Sequence, residues 1–137
     1  ADKYIGYLSP KKTFRNTINP SYKAQRKPSD INYLREAKEY LASKYLCKEV
    51  EGLESDDCCL ITENLLKEKY SVTIVSPDKD INNTFGTRYN PNKDEFAFHT
   101  MEHCNQYFWA SMINGDSADN IKGIPGKGPR RRRHGYC

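Results

Sequence analysis

The sequence predicts an α/β fold, a parallel sheet flanked by helices, and three observations carry that expectation. Two stretches show apolar residues at helical spacing, ending near residues 47 and 69. The second is followed at once by the β-branched run Ser71-Val72-Thr73-Ile74-Val75, which has no alternation of polarity and so predicts a strand of a parallel sheet covered on both faces. A length of 137 residues suits one ordinary domain, and 36% apolar against 29% charged residues leaves material for a lean core.

Taken in order, residues 1–30 are punctuated by Pro10, Pro20 and Pro28 and predict irregular or newly helical chain. Ser29 or Asp30 can cap the first clear helix, where Ile31, Leu34, Ala37, Leu41 and Tyr45 recur until it fades near Cys47. A second helix is expected from Ser55–Asp57 to about Lys69, with Leu60, Ile61, Leu65 and Leu66 on its apolar side. Acids in its first turn suit the positive end of the helix dipole. Residues 84–98 predict a hairpin turning at Asn90-Pro91-Asn92-Lys93. Thr100 to Asn114 predicts another helix, with Met101, Cys104, Phe108 and Met112 as its inner stripe.

Composition excludes several classes. No apolar run approaches the ~20 residues of a membrane span, and the N-terminus lacks the basic-then-apolar pattern of a signal peptide. The expectation is a cytoplasmic protein with no membrane partner. Five cysteines, at 47, 58, 59, 104 and 137, form no CxxC pair and read as reduced thiols filling the core. His99 and His103, with Cys104 beside them, offer a conceivable metal pair. Thr100 stands where the zincin pattern needs Glu, so an ordinary helix face is the simpler reading.

The net charge of +4 hides basic ends around an acidic middle. Residues 1–30 carry +5, residues 31–70 carry −3, residues 71–129 carry −2, and Arg130 to Arg133 add +4. The acids gather where elements end. Glu54, Asp56 and Asp57 enter a helix; Asp78 and Asp80 follow the strand; Asp116 and Asp119 follow the helix that ends at Asn114. Chemistry in open α/β sheets collects at the carboxyl ends of the strands. Two charges ~4 Å apart repel by about 4 kcal/mol at an effective dielectric near 20. A convergent set of seven must therefore be protonated or filled with cations, and all-oxygen donors suit Mg2+ or Mn2+ rather than zinc. Taken singly, each acidic pair is equally a solvated helix start or turn.

Two further features suit a phosphate backbone. Gly115-Asp116-Ser117-Ala118-Asp119-Asn120-Ile121 runs into Gly123-Ile124-Pro125-Gly126-Lys127-Gly128-Pro129, where glycines allow close approach and free amide groups. This order resembles a helix-hairpin-helix clamp that holds DNA without reading its sequence. Near the N-terminus, Phe14-Arg15 and Tyr22-Lys23-Ala24-Gln25-Arg26 interleave cations with aromatics. Lys23 and Arg26 share a face if that stretch is helical, while Tyr22 or Phe14 can stack on a base. A solvated basic face is the plainer alternative. The arginine tail at 130–137 either tracks phosphate or is a disordered chain end.

Together these motifs resemble the 5′-nuclease (flap endonuclease, 5′-3′ exonuclease) superfamily, above all its bacteriophage branch. The likeness rests on Phe14-Arg15, on Tyr22-Lys23 through Arg26, on Glu54-Ser55-Asp56-Asp57, on Ser76-Pro77-Asp78-Lys79-Asp80, and on Gly115-Asp116 through the glycine loop. The resemblance implies a Rossmann-like, PIN-type sheet. It assigns Glu54, Asp56, Asp57, Asp78, Asp80, Asp116 and Asp119 to two divalent ions, Mg2+ or Mn2+. Lys23 and Arg26 would lie in a helical arch touching the scissile phosphate. Phe14, Arg15, Tyr22, Gly123, Gly126, Lys127 and Gly128 would touch DNA, and a K+ can sit on the glycine loop. Residues 1–114 would be a partial catalytic domain whose first thirty residues form the arch-like basic segment. Residues 115–129 would begin a helix-three-turn-helix, and 130–137 would be a basic tail. The implied reaction is metal-dependent hydrolysis of DNA at a 5′ flap, a 5′ end or a nick, or of an RNA primer on DNA. It would serve replication, primer removal or repair, act as a monomer, and leave a 5′-phosphate and a 3′-hydroxyl.

Departures from the pattern define the rivals. The family opens with a strand ending in a metal-binding Asp and has another before the arch; Asp2 is a poor substitute for either. The residues after Pro129 carry no apolar stripe. The sequence thus reads as an internal piece of a longer nuclease, or a diverged one with a replaced tail. A non-catalytic DNA-binding module keeps the clamp and loses the chemistry. A PIN-type ribonuclease keeps the sheet, although that class lacks the glycine clamp.

Overall fold

The computed structural model describes residues 3–25, 32–117 and 119–127; Ser29, Asp30, Ile31 and the tail 130–137 lie outside them. Strand β1 (Tyr7–Leu8) pairs parallel with β2 (Lys48–Glu49), and the Lys48 amide donates to the Gly6 carbonyl at 2.9 Å. Between them come helices α1 (Phe14–Ile18) and α2 (Leu34–Tyr45). A bridge from Thr13 to Gly52, with Phe14 N donating to Gly52 O at 2.8 Å, stitches α1 beside the start of α3 (Ser55–Leu66). Helix α3 packs on β1 and on β3 (Thr73–Val75), and Tyr7 OH meets Thr62 Oγ1 at 2.6 Å.

A 3-10 turn (Lys79–Asn83) leads into the hairpin of β4 (Gly86–Asn90) and β5 (Glu95–His99), whose turn spans residues 91–94. Strand β3 runs parallel to β4, and β4 antiparallel to β5. Helix α4 (Met101–Asn114) is capped by Thr100, whose Oγ1 accepts from the His103 amide at 3.2 Å. The chain then forms a small antiparallel ladder, β6 (Gly115–Asp116) with β7 (Ile121–Lys122). The α/β class and its parallel pairing are as expected. The parallel pairs are split into two short ladders, with α3 against both.

Burial corrects several expectations. Ile74 is 5% exposed but Val75 is 61% exposed, so β3 is covered on one face only. On α4, Cys104 is buried while Met101, Phe108 and Met112 are 59%, 46% and 57% exposed. Helix α2 starts at Leu34 rather than near Ser29 and has no buried residue. It is tethered instead by Lys38 Nζ on the Ser9 carbonyl at 2.7 Å and by Tyr45 edge-on to Tyr4. Helical spacing sorts residues onto a face, but what packs against that face decides burial. Helix α3 ends at Leu66, and the amides of Lys69 and Tyr70 close back on the Leu66 carbonyl, so residues 67–69 of the expected helix are a hydrogen-bonded turn. Cys47, Cys58, Cys59 and Cys104 are free thiols, with Cys58 and Cys104 in the core.

The sequence reading missed the most buried polar feature. Arg88 on β4 is 5% exposed and forks onto Glu63 of α3 at 2.7 and 2.9 Å. Its other donors reach Thr84 Oγ1 and the carbonyls of Phe85 and Thr87. Gly86, at φ +125°, is required there, because a Cβ would come within 2.6 Å of Glu63 Oε1. Among the described residues no helix is long and apolar enough to cross a membrane.

Candidate metal centre and its cationic rim

Each acidic group reaches the site through a local rule. Glu54 is the N-cap residue of α3, its amide donates to Asp57 Oδ2 at 3.2 Å, and Asp56 and Asp57 occupy the first turn. The carboxyl end of β3 delivers Ser76-Pro77-Asp78, where Asp78 caps the 3-10 turn by accepting from the Asp80 amide at 3.0 Å. Asp116 lies in β6 and Asp119 in the turn to β7. That ladder sits tight against the end of α4. A Cβ on Gly115 would fall 2.2 Å from the Gly123 amide, and one on Gly123 would fall 2.4 Å from the Ile113 carbonyl oxygen. The Ile124 amide then donates to that same carbonyl at 2.8 Å.

Among the described residues, three of these carboxylates are seen paired with cations of the chain itself. Arg15 of α1 forks onto Asp57 at 2.5 and 2.8 Å, and the Lys23 ammonium donates to both Glu54 oxygens at 2.9 and 3.0 Å. Lys79 reaches Asp116 at 2.7 Å, with 59% of its side chain exposed. The hydrogen bonds from Arg15 hold the Asp57 carboxyl below its ordinary value and raise the guanidinium in return. Burial alone would lower the Lys23 ammonium, but hydrogen bonds with Tyr22 and Glu54 outweigh it and raise its pKa.

Elsewhere the negative charge is in surplus. Burial raises the Asp56 carboxyl, and Asp78 and Glu54 raise it further against the pull of Lys23. Burial likewise raises Asp80, helped by Asp78, Asp116 and Asp119 and opposed by Lys79. The three acidic groups therefore share one electrostatic field. Among the described residues they are not drawn together as a ligand set: no three His, Cys, Asp or Glu side chains stand close enough to hold an ion. All-oxygen donors and two carboxyls raised by burial and by neighbouring acids nonetheless fit a hard divalent cation, which would relieve the repulsion.

The other predicted residues divide. Tyr22 is 8% exposed, wedged near Lys23 and Glu54, so it does not offer its ring to a base. Phe14 is 43% exposed, with the Arg15 guanidinium over its ring at 4.8 Å. Lys23 lies in a turn at φ +54°, not in a helix, and Arg26 lies outside the described residues. Gly126, at φ +72° after Pro125, suits the second central position of a type II turn, closed by Lys127 N donating to Ile124 O. Lys127 is exposed, and Gly128 lies outside the described residues. Residues 115–117 and 119–127 form the β6–β7 ladder and the turn at Gly126, while Pro129, the end of the expected clamp, lies outside the described residues. His99 ends β5 and is buried, its ring stacked at 4.7 Å on His103 of α4, so the pair spans a strand end and a helix rather than sharing the helix face expected.

Residues 4–106 match the family described as 5′-3′ exonuclease, N-terminal resolvase-like domain. The chain is 33% identical to DNA polymerase I of Borreliella burgdorferi, over 92% of this chain and 16% of that protein. It is 28% identical to the flap endonuclease of Escherichia phage T5, over 88% of this chain and 50% of that enzyme. It thus spans at most half the length of these relatives. Among solved structures it is similar to a bacteriophage T5 protein co-crystallised with metal ions, at a TM-score of 0.72 and 25% identity, covering 93% of this chain and 58% of that one. It is also similar to the bacteriophage T5 flap endonuclease in a pseudo-enzyme-product complex with DNA and metal ions, at a TM-score of 0.69 and 25% identity, covering 93% and 56%.

Proposed function

From a chain that belongs to the 5′-3′ exonuclease family of resolvase-like N-terminal domains, we propose that the acidic face is the metal centre of a nuclease cleaving DNA phosphodiesters. The observation that carries this reading is the placing of carboxylates from α3, the carboxyl end of β3 and the β6–β7 ladder in one neighbourhood, where burial first and the neighbouring acids next raise Asp56 and Asp80. Glu54, Asp56, Asp57, Asp78, Asp80, Asp116 and Asp119 would hold two Mg2+ or Mn2+ ions. Such ions supply Lewis acidity to the attacking water and the leaving oxygen.

The chain's own residues do the rest. Lys23 compensates Glu54 until a phosphate competes for its ammonium, and then stabilises the charge on that phosphate. Arg26 follows in the same segment and would join it. Arg15 fixes Asp57 by a two-point bond and so orients the first turn of α3. Phe14 offers an exposed face to a base. Lys127 and the amides around Gly123, Gly126 and Gly128 would track the duplex backbone, with a K+ on the loop. The substrate class is a 5′ flap, a 5′ end or a nick, RNA-primed strands included, met by a monomer in the cytoplasm.

A flap-labelled DNA incubated with the purified chain tests this. Cleavage with Mg2+, none with EDTA and none by Asp78→Ala is the expected result. Binding without cleavage, equal in both buffers, would favour a second reading, a non-catalytic DNA-binding module. The absence of a gathered ligand set among the described residues and the occupation of three carboxylates by Arg15, Lys23 and Lys79 speak for that reading.

A further inference from the structure

We infer that Asn120 is a positioning residue that locks the Lys23 turn onto the loop carrying Asp116 and Asp119. Its Oδ1 accepts from Gln25 Nε2 at 3.0 Å, and its Nδ2 donates to the Ser21 carbonyl at 3.3 Å. Ser21 and Gln25 stand two residues to either side of Lys23, so the two bonds straddle the turn at its cationic centre. Asn120 directly follows Asp119, so one side chain spans both halves of the charged site across more than ninety residues of sequence.

Backbone conformation explains why asparagine stands there. Asn120 has φ +59° and Lys23 has φ +54°, both in the left-handed region that asparagine tolerates better than most residues. The Ser21 carbonyl also accepts from the Ala24 amide at 3.1 Å, and the Ser21 amide and hydroxyl both donate to Asn19 Oδ1. The clasp therefore grips a turn that is already braced from within. Tyr22 and Asp119, each adjacent to a clasped residue, line one cavity of about 290 Å³ together with Arg15. By holding the turn on both sides of Lys23, the clasp fixes where its ammonium, bonded to Glu54, stands relative to the loop of Asp116 and Asp119. On the nuclease reading, with which this catalytic consequence stands or falls, it fixes the phosphate-gripping cation against the metal-holding acids.

The test uses Asn120→Gly, which keeps the left-handed backbone and removes both bonds, and Gln25→Ala, which removes one of them at an exposed side chain. Hydrogen exchange of the free chain should rise in Asn120→Gly at 21–25 and at 117–122 alike, by roughly tenfold, the scale of one or two lost hydrogen bonds. With Mg2+ and flap DNA, single-turnover cleavage should slow by a similar factor while the Kd for DNA is unchanged. The double variant should be no worse than Asn120→Gly alone. Exchange that rises only at 117–122, or independent addition of the two substitutions, overturns the clasp. A clasp lost by exchange with cleavage at the wild-type rate overturns the positioning role. A wild type that never cleaves removes the nuclease reading and that role with it, while exchange still decides the clasp.

Discussion

Two charged regions of this molecule use the same chemistry to opposite ends. Between α3 and β4, Arg88 is buried and the Glu63 side chain is 12% exposed, and the guanidinium's remaining donors find oxygens of Thr84, Phe85 and Thr87. At the carboxyl end of β3, Arg15, Lys23 and Lys79 neutralise three carboxylates, while Asp56 and Asp80 are pushed up by burial and by neighbouring acids. Among the described residues, the first region is electrostatically complete and Asp56 and Asp80 in the second are not. A completed pair specifies how two elements dock, whereas an uncompleted cluster costs stability until a cation arrives.

Breaking the completed pair should have the largest effect. Arg88→Ala strands the Glu63 carboxylate and should cost about 3–5 kcal/mol in urea denaturation. Arg88→Met with Glu63→Leu should recover most of it. A loss below about 1 kcal/mol for the single change would class the pair with surface ion pairs and erase the contrast. In the other region, Asp56→Asn should do the reverse of ordinary damage. It removes a charge the fold disfavours, so the metal-free protein should melt higher at neutral pH. Cleavage with Mg2+ should fall by about 10²–10³-fold, the scale of removing one electrostatic stabiliser from a transition state. A variant that melts lower would show that the Asp56 carboxylate is compensated after all.

Acid titration sharpens the same contrast, because the two kinds of carboxylate respond with opposite sign. Asp57 is depressed by Arg15, so its contribution is complete above the ordinary carboxylate pKa and is lost as pH falls through the depressed value. Asp56 and Asp80 are raised, so their penalty applies at neutral pH and is lifted as pH falls through their raised values. Arg15→Ala should therefore lower stability by about 1 kcal/mol at neutral pH, with the difference from wild type vanishing in acid. A difference that persists in acid would assign Arg15 a packing role over Phe14 instead.

The two regions also differed in how legible they were. The acids, the hairpin turn (expected at 90–93, found at 91–94) and the start of α3 follow from local rules: chain order, turn residues, and carboxylates in a first helical turn. Their compensating cations follow from no local rule. Arg15 lies 42 residues from Asp57, and Lys23 lies 31 from Glu54. Nothing in the spacing of residues 14–26 distinguishes a cation held on a carboxylate from one free to meet phosphate. Tyr22 shows the same limit, since an aromatic beside two cations reads as a stacking platform until its burial is seen. The Arg88 pair left one faint trace, an arginine in the middle of a short strand, with Gly86 two residues earlier making room for it.

Lys79 tests the smallest difference between completed and uncompleted charge. It stands between Asp78 and Asp80, yet its ammonium is spent on Asp116, and most of the side chain is in water. An exposed pair of this kind is worth under about 1 kcal/mol, so Lys79→Met should barely move the melting temperature. Its charge nonetheless sits inside the field that would attract a divalent ion, where it opposes the raised carboxyl of Asp80. Removing it deepens the surplus and should tighten Mn2+ binding by roughly two- to fivefold at low salt, as read by Mn2+ paramagnetic resonance, with the gain shrinking as ionic strength rises. Weaker Mn2+ binding in Lys79→Met would mean that the ammonium holds Asp116 in place for the metal. The cationic rim would then be part of the binding site rather than its competitor.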